Sequence, residues 1–143
     1  MMKLRNVVAG LVAVGACLSV PVSAAAQAKA HHVLFAVTSG DESEWKMAMG
    51  NIRNLLTGLG PDTEVEVVAF GPGLNILKKA TVVGEDIKGL EAKHVKFMAC
   101  QNSMRNQNVT LADLVDGAGS VPSGIVEVVT KQEQGWSYIK AGH

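Results

Sequence analysis

The first thirty residues contain no aspartate or glutamate. Beyond them the chain carries one cysteine, no dense run of basic side chains, no internal repeat and no low-complexity segment. Each absence removes a class of protein. An acid-free start with Lys3 and Arg5 ahead of the apolar run Val7 to Val20, followed by the small residues of "PVSAAAQA", has the three parts of a secretory leader. Counted through Val22, the apolar run falls short of the ~20 residues of a spanning helix, and no basic stop-transfer cluster follows it. A transmembrane anchor is therefore not expected.

Small residues at the minus-three and minus-one positions place the cut within residues 24–28. Taken after Ala28, it divides the chain into a signal peptide, 1–28, and a single domain, 29–143, in the periplasm or outside the cell. "AVGAC", ending at Cys17, offers the alternative of a lipidated cysteine, but the apolar region continues past it to a better Ala-x-Ala site.

The remaining 115 residues suffice for one compact core. They hold 11 basic and 13 acidic residues once Lys3 and Arg5 are gone, a formal charge of −2, and without a dense basic run nucleic acid is not expected as a partner. The cut also removes Cys17 and leaves Cys100 alone. No internal disulfide can form, and an unpaired thiol in an exported protein calls for an explanation.

Short β-branched runs alternate with amphipathic segments from His31 onward. "HVLFAVT" (32–38) predicts a buried strand. Trp45, Ala48, Met49, Ile52, Leu55, Leu56 and Leu59, at spacings of three and four, predict a helix. Asp41 with Glu44, or Ser43 alone, would cap its start; Gly58, Gly60 and Pro61 would end it. "TEVEVVAF" (63–70) predicts a second strand broken by "GPG", with a short helix from Leu74 to Lys79 and another near Glu85 to Lys93. "HVKFMAC" (94–100) is the third strand, followed by a polar loop. Thr110 and Asp113 have capping-box spacing, "GSV" is a last short strand, and Pro122 suits the first turn of a closing helix with Ile125, Val128, Val129, Trp136 and Ile139 on one face. The pattern implies α/β class: a three-layer α/β/α domain with an open, mainly parallel sheet.

In such sheets ligands bind beyond the carboxyl ends of the strands. "TSGDES", "FGPG" and "CQNS" converge there, which puts Cys100 at the rim. A helix start beyond it would favour the thiolate, with Arg105 close enough in sequence to add charge. Free cysteine is also among the most buried residue types, so the same position suits a small packing residue. Other signals point to structure. "GPG" lacks the length and lysine of a phosphate loop, and no G-x-G-x-x-G follows the first strand. His31, His32, His94 and His143 contain no pair at ligand spacing, so no metal and no cofactor is expected. Asp41, Glu42 and Glu44 read as dipole-complementing acids at a helix start, and Trp45 and Trp136 as packing on apolar helical faces.

Three stretches, "NIRNLLTGLGPDTEVEVVAFGPGLNIL", "GLEAKHVKFMACQNSM" and "VPSGIVEVVTKQEQGWSYIK", together resemble the DsrE/DsrF-like family of small sulfur-relay proteins, in its exported branch. The resemblance spans nearly the whole chain after the leader. It implies a DsrEFH-like parallel α/β/α domain, assembly into homotrimers or hexamers, and a cysteine after the third strand, here Cys100, that carries sulfane sulfur as a persulfide. Its partners would be a sulfur donor and an acceptor thiol. Phe70 precedes "GPG" where relatives of this branch often have histidine, so no proton-transferring side chain stands at that position.

The expectation is thus a sulfurtransferase-like carrier with Cys100 as nucleophile and Gly71, Gly73, Gln101, Asn102, Ser103 and Arg105 around it. Two rivals use the same residues: a non-catalytic small-ligand-binding or assembly module, and a thiol redox-responsive protein.

Overall fold

A strand covered on both faces reads as a continuous apolar run, and His31–Val37 (β1) buries five residues in a row from Val33 to Val37. The computed structural model describes residues 30–142. The leader, Cys17 and His143 lie outside the described residues. Helix α1, Glu42–Leu59, follows β1; Asp41 caps it by accepting a 2.7 Å hydrogen bond from the Ser43 N–H, and Gly60, at φ +90, ends it. Thr63–Ala69 is β2. It leads into a 3₁₀ segment, Gly71–Leu77, and then α2, Gly84–Glu91. Lys96–Cys100 is β3 and Gln101–Asn106 is α3. A 3₁₀ turn, Leu111–Asp113, has the expected capping box. Gly119–Val121 is β4, Gly124–Glu133 is α4, and Ser137–Ala141 is β5.

All neighbouring strands pair in parallel, in the order β4-β3-β2-β1-β5. The chain steps outward from β1 to β4 and then crosses back to the far side of β1 through α4. Side chains alternate between the faces. One face, packed by α1 and α2, holds Phe35, Val67, Phe97, Trp45, Met49, Ile52, Ile87 and Leu90 in a large core. The other holds Leu34, Ala36, Val68, Val121 and Val128 beneath α4, with Phe70, Met98 and Trp136 packed against them. The sheet is open and three-layered, as the sequence predicts, and the middle layer is wholly parallel.

Three expectations change. The polar run after Cys100 is helical, because Cys100 itself takes the extended N-cap conformation and the turn starts at the next residue. Pro122 lies outside the closing helix, before the Ser123 cap. That helix also stops short of Trp136 and Ile139. Gly135, at φ +86, donates to Gln132 O while Trp136 N–H donates to Lys131 O, the paired bonds of a left-handed helix stop. Ile139 then belongs to β5 and faces the larger core, while Ile125 and Val129 are exposed.

Candidate functional site

β3 brings Lys96, Met98 and Cys100 to the α4 face by simple alternation. Cys100 is its last residue and the cap of α3, and it is the free cysteine of the described chain, 3% exposed. Burial pushes the thiol up. Against it pull the polar hydrogens around it, those of the Gly124 N–H, the Ser103 hydroxyl and the N–H groups of Ser103 and Asn102, and the thiol ends below its ordinary value.

These donors come from two helix starts. Asn102 and Ser103 open α3, and Gly124 is the first residue of α4. The aligned peptide dipoles of both helices therefore present their positive ends to one atom. Gly124 fits because a Cβ there would lie within 2.8–3.0 Å of the Phe70 side chain. Phe70 thus packs the start of α4 down onto the sheet, a steric task a histidine would not perform in the same way.

Ser103 is oriented from behind. Gly71 N–H donates to Ser103 Oγ at 2.8 Å, which fixes the oxygen as acceptor on one side and leaves its proton for the sulfur. Gly71 adopts φ +57, and its carbonyl accepts from Gln107 Nε2 at 2.7 Å. Gln107 and Gly124 are absent from the sequence-derived set. Nothing in local spacing ties Gly124 to Cys100, because the contact is made by strand order.

The remaining residues of that set do different work. Gly73 is a packing glycine: a Cβ on it would fall 2.1 Å from Val37 O, and its N–H bonds Thr38 O and Phe70 O. Gln101 Nε2 donates to Ser120 Oγ at 3.0 Å and ties α3 to β4. Asn102 contributes its backbone to the sulfur, while its side-chain oxygen accepts from Arg105 on the exposed side of α3. Trp45 is core, as predicted, and its Nε1 donates to Ser39 O.

Two concavities among the described residues lie away from the thiol. A cleft of about 590 Å³ runs between α2 and residues 115–117, lined by Lys79, Glu85, Lys88, Glu91 and Asp116, with no thiol, hydroxyl or imidazole. A second, of about 380 Å³, crosses the start of β3 and β4 beside Lys96 and Met98. Among the described residues no group of three His, Cys, Asp or Glu could hold a metal ion, and no helix is long and apolar enough to cross a membrane.

Comparison with known proteins agrees with this fold. The model of the DsrE/DsrF-like family matches residues 24–141. Protein MTH1491 of Methanobacterium thermoautotrophicum, of unknown function, is 34% identical and superposes with a TM-score of 0.74 over 77% of this chain and 98% of its own. The ychN protein from E. coli, 11% identical, superposes at 0.65 over 77% and 98%. BT1422 of Bacteroides thetaiotaomicron, a conserved protein of unknown function, is 14% identical at 0.65 over 80% and 98%. The last two likenesses are of fold alone. No curated protein matches.

Proposed function

The chain belongs to the DsrE/DsrF-like family, and on that premise we propose that it is an exported sulfur carrier that holds sulfane sulfur as a persulfide on Cys100. The observation that carries this reading is the place of the thiol: Cys100 ends β3, caps the start of α3 and pairs with Val121, three residues before α4 begins at Gly124, so two helix starts meet at one sulfur. Donors aimed at a sulfur favour the thiolate, which is the form that attacks. The family makes sulfur relay the matching chemistry.

The steps conserve atoms and electrons. Cys100 thiolate attacks the sulfane sulfur of a donor, either a persulfide or thiosulfate; the new S–S bond forms as the donor's breaks, and the donor leaves with the electron pair as thiolate or sulfite. The outer sulfur now bears the negative charge. An acceptor thiolate attacks that sulfur and Cys100 leaves as thiolate, held by the same donors that stabilised it at the start. No external oxidant or reductant is consumed.

Export follows from residues 1–28, with the thiol carried in the 29–143 domain. Mature protein purified from the cell envelope should start within residues 25–29, and no lipidated species starting at Cys17 should be found. Intact-mass analysis reads both. Incubated with thiosulfate or polysulfide, the same protein should gain one sulfur mass, lose it to reductant, and fail to gain it as Cys100→Ser.

The burial of Cys100 supports a second reading, an assembly or ligand-binding module in which the sulfur only packs. A packed thiol resists alkylation until the chain unfolds, whereas an activated one alkylates faster than free cysteine at mildly acidic pH. Absence of sulfur uptake from several donors, with the native thiol open to alkylation, would exclude the carrier.

A further inference from the structure

The α4 face of the sheet contains a costly feature that the thiol chemistry does not obviously require. Glu66 lies in mid-strand on β2, 3% exposed, with Lys131 Nζ of α4 at 2.9 Å. Glu127, one turn earlier on α4, is 3.6 Å from the same ammonium, and the indole of Trp136 lies 4.1 Å below it. Glu66 Oε1 has no hydrogen-bond partner. Burying both charges costs several kcal/mol each, and an apolar pair of similar volume is often as stable or more so. Such pairs are best understood where they fix a geometry.

The geometry in question is the axial position of α4. Only Gly124 and Val128 of that helix are buried, so few packed side chains hold it. Lys131 and Gly124 are seven residues apart, about 10.5 Å along a helix. Glu66 pairs in register with Lys96, and Cys100 lies four residues beyond Lys96, roughly 13 Å along a strand. Helix and strands therefore meet at two points, Lys131 over Glu66 and the start of α4 at Gly124 beside the end of β3, where Cys100 pairs with Val121. The reach of the lysine side chain takes up the difference.

We propose that Glu66 and Lys131 are positioning residues for Cys100: their buried ion pair sets where α4 sits along its axis and so keeps the Gly124 N–H aimed at the sulfur. The inference deepens the carrier reading and relies on it only for its purpose. The coupling itself is between an ion pair and a thiol. A slide of under an ångström at Lys131 carries through the rigid helix to Gly124, where a hydrogen bond fails over the same distance. The pair suits this role because the ammonium is held from three sides, by Glu66, Glu127 and the Trp136 ring, so the lysine stem has little freedom left to absorb a slide.

The test is the rate of Cys100 alkylation by iodoacetamide against pH in the folded 29–143 domain, beside its urea stability. Glu66→Gln and Lys131→Met are each expected to slow alkylation near neutrality by roughly tenfold, the worth of one hydrogen bond to a charged group, and to raise the midpoint of the rate profile. Both also destabilise, so two further variants separate positioning from stability. Glu66→Leu combined with Lys131→Met restores apolar packing and should recover stability while alkylation stays slow. Ile52→Val, on the opposite face, loses stability and should alkylate at the parent rate. A double variant with the parent's profile overturns the proposal, as does an Ile52→Val variant slowed like the ion-pair variants. If the parent takes up no sulfur while the ion-pair variants still shift the profile, the carrier reading fails and the positioning role stands.

Discussion

The two faces of the sheet are built on different physics. The face under α1 and α2 gathers twenty-two buried residues, while the face under α4 gathers five, supplemented by an ion pair and the thiol. Apolar burial is non-directional and scales with area, so the first face can hold the fold without fixing any one atom. The second has little area to offer. Its contacts are directional: Gly124 against Phe70, donors on Cys100, Lys131 on Glu66. Apolar burial is concentrated where geometry is loose, and the thiol sits where it is exacting.

The largest effect that would break this contrast lies on the first face. Phe35, 1% exposed in mid-strand, should cost about 3–5 kcal/mol as Phe35→Ala, measured by urea unfolding. Cys100 alkylation in the folded fraction should keep the parent's pH profile. A shifted profile would mean that the faces are not separable. Next comes Gly124→Ala, whose methyl must displace the Phe70 ring; overpacking of this kind costs about 1–3 kcal/mol. Here the thiol should respond as well, with slower alkylation and a raised midpoint, because the Gly124 N–H is among the groups that pull the thiol down. Loss of stability with an unchanged thiol would remove Gly124 from the site.

The contrast also explains what could be read from the chain. The first face is written in periodicity: the stripe from Trp45 to Leu59 and the runs around Val33 and Val65 identify elements, class and core, because each is a local pattern. The position of Cys100 at a strand end was legible for the same reason. Gly124 and Gln107 were not, since their partners lie twenty or more residues away and depend on β4 lying beside β3 and on the turn at Gly71. The end of α4 was misread because an apolar spacing continues through Trp136 and Ile139. The Gly135 stop in "EQGW" is a single-residue signal that outweighs it. Glu66 was hidden by its alternation with Glu64, which is half-exposed and bonded to Lys96 at the surface.

A smaller effect sharpens the second face. Ser103→Ala deletes a hydroxyl that accepts from Gly71 N–H and helps to hold the Cys100 thiol below its ordinary value. Stability should fall by about 1–2 kcal/mol, as for one lost hydrogen bond with a partner left unpaired. Alkylation near neutrality should slow several-fold. The two losses need not scale, because the first reflects Gly71 and the second the sulfur. An unchanged rate would show that the backbone donors alone set the ionisation.

The smallest expected effect compares two carboxylates, one associated with each face. Glu66 and Glu91 are both raised above the ordinary glutamate value of 4.5, Glu66 by burial against the pull of Lys131 and Glu91 by burial and the charge of Asp116. A raised folded value means the native state binds the proton more tightly than the unfolded chain. The associated stability is complete below the unfolded value and is lost as pH rises through the folded one. Ionising either acid in the folded chain therefore carries a cost, and Glu91→Gln, which cannot ionise, should raise the melting temperature slightly at pH above the folded value. That gain should shrink as pH falls toward the ordinary value, where the parent's Glu91 is itself protonated. Glu91 contacts neither α4 nor Cys100 through any bond, so its replacement should leave alkylation untouched, whereas Glu66→Gln slows it. Two carboxyls displaced in the same direction would then have opposite meaning for the sulfur. A Glu91→Gln variant that alkylates slowly would show that charge anywhere on the sheet reaches the thiol, and the division between the faces would be electrostatically empty.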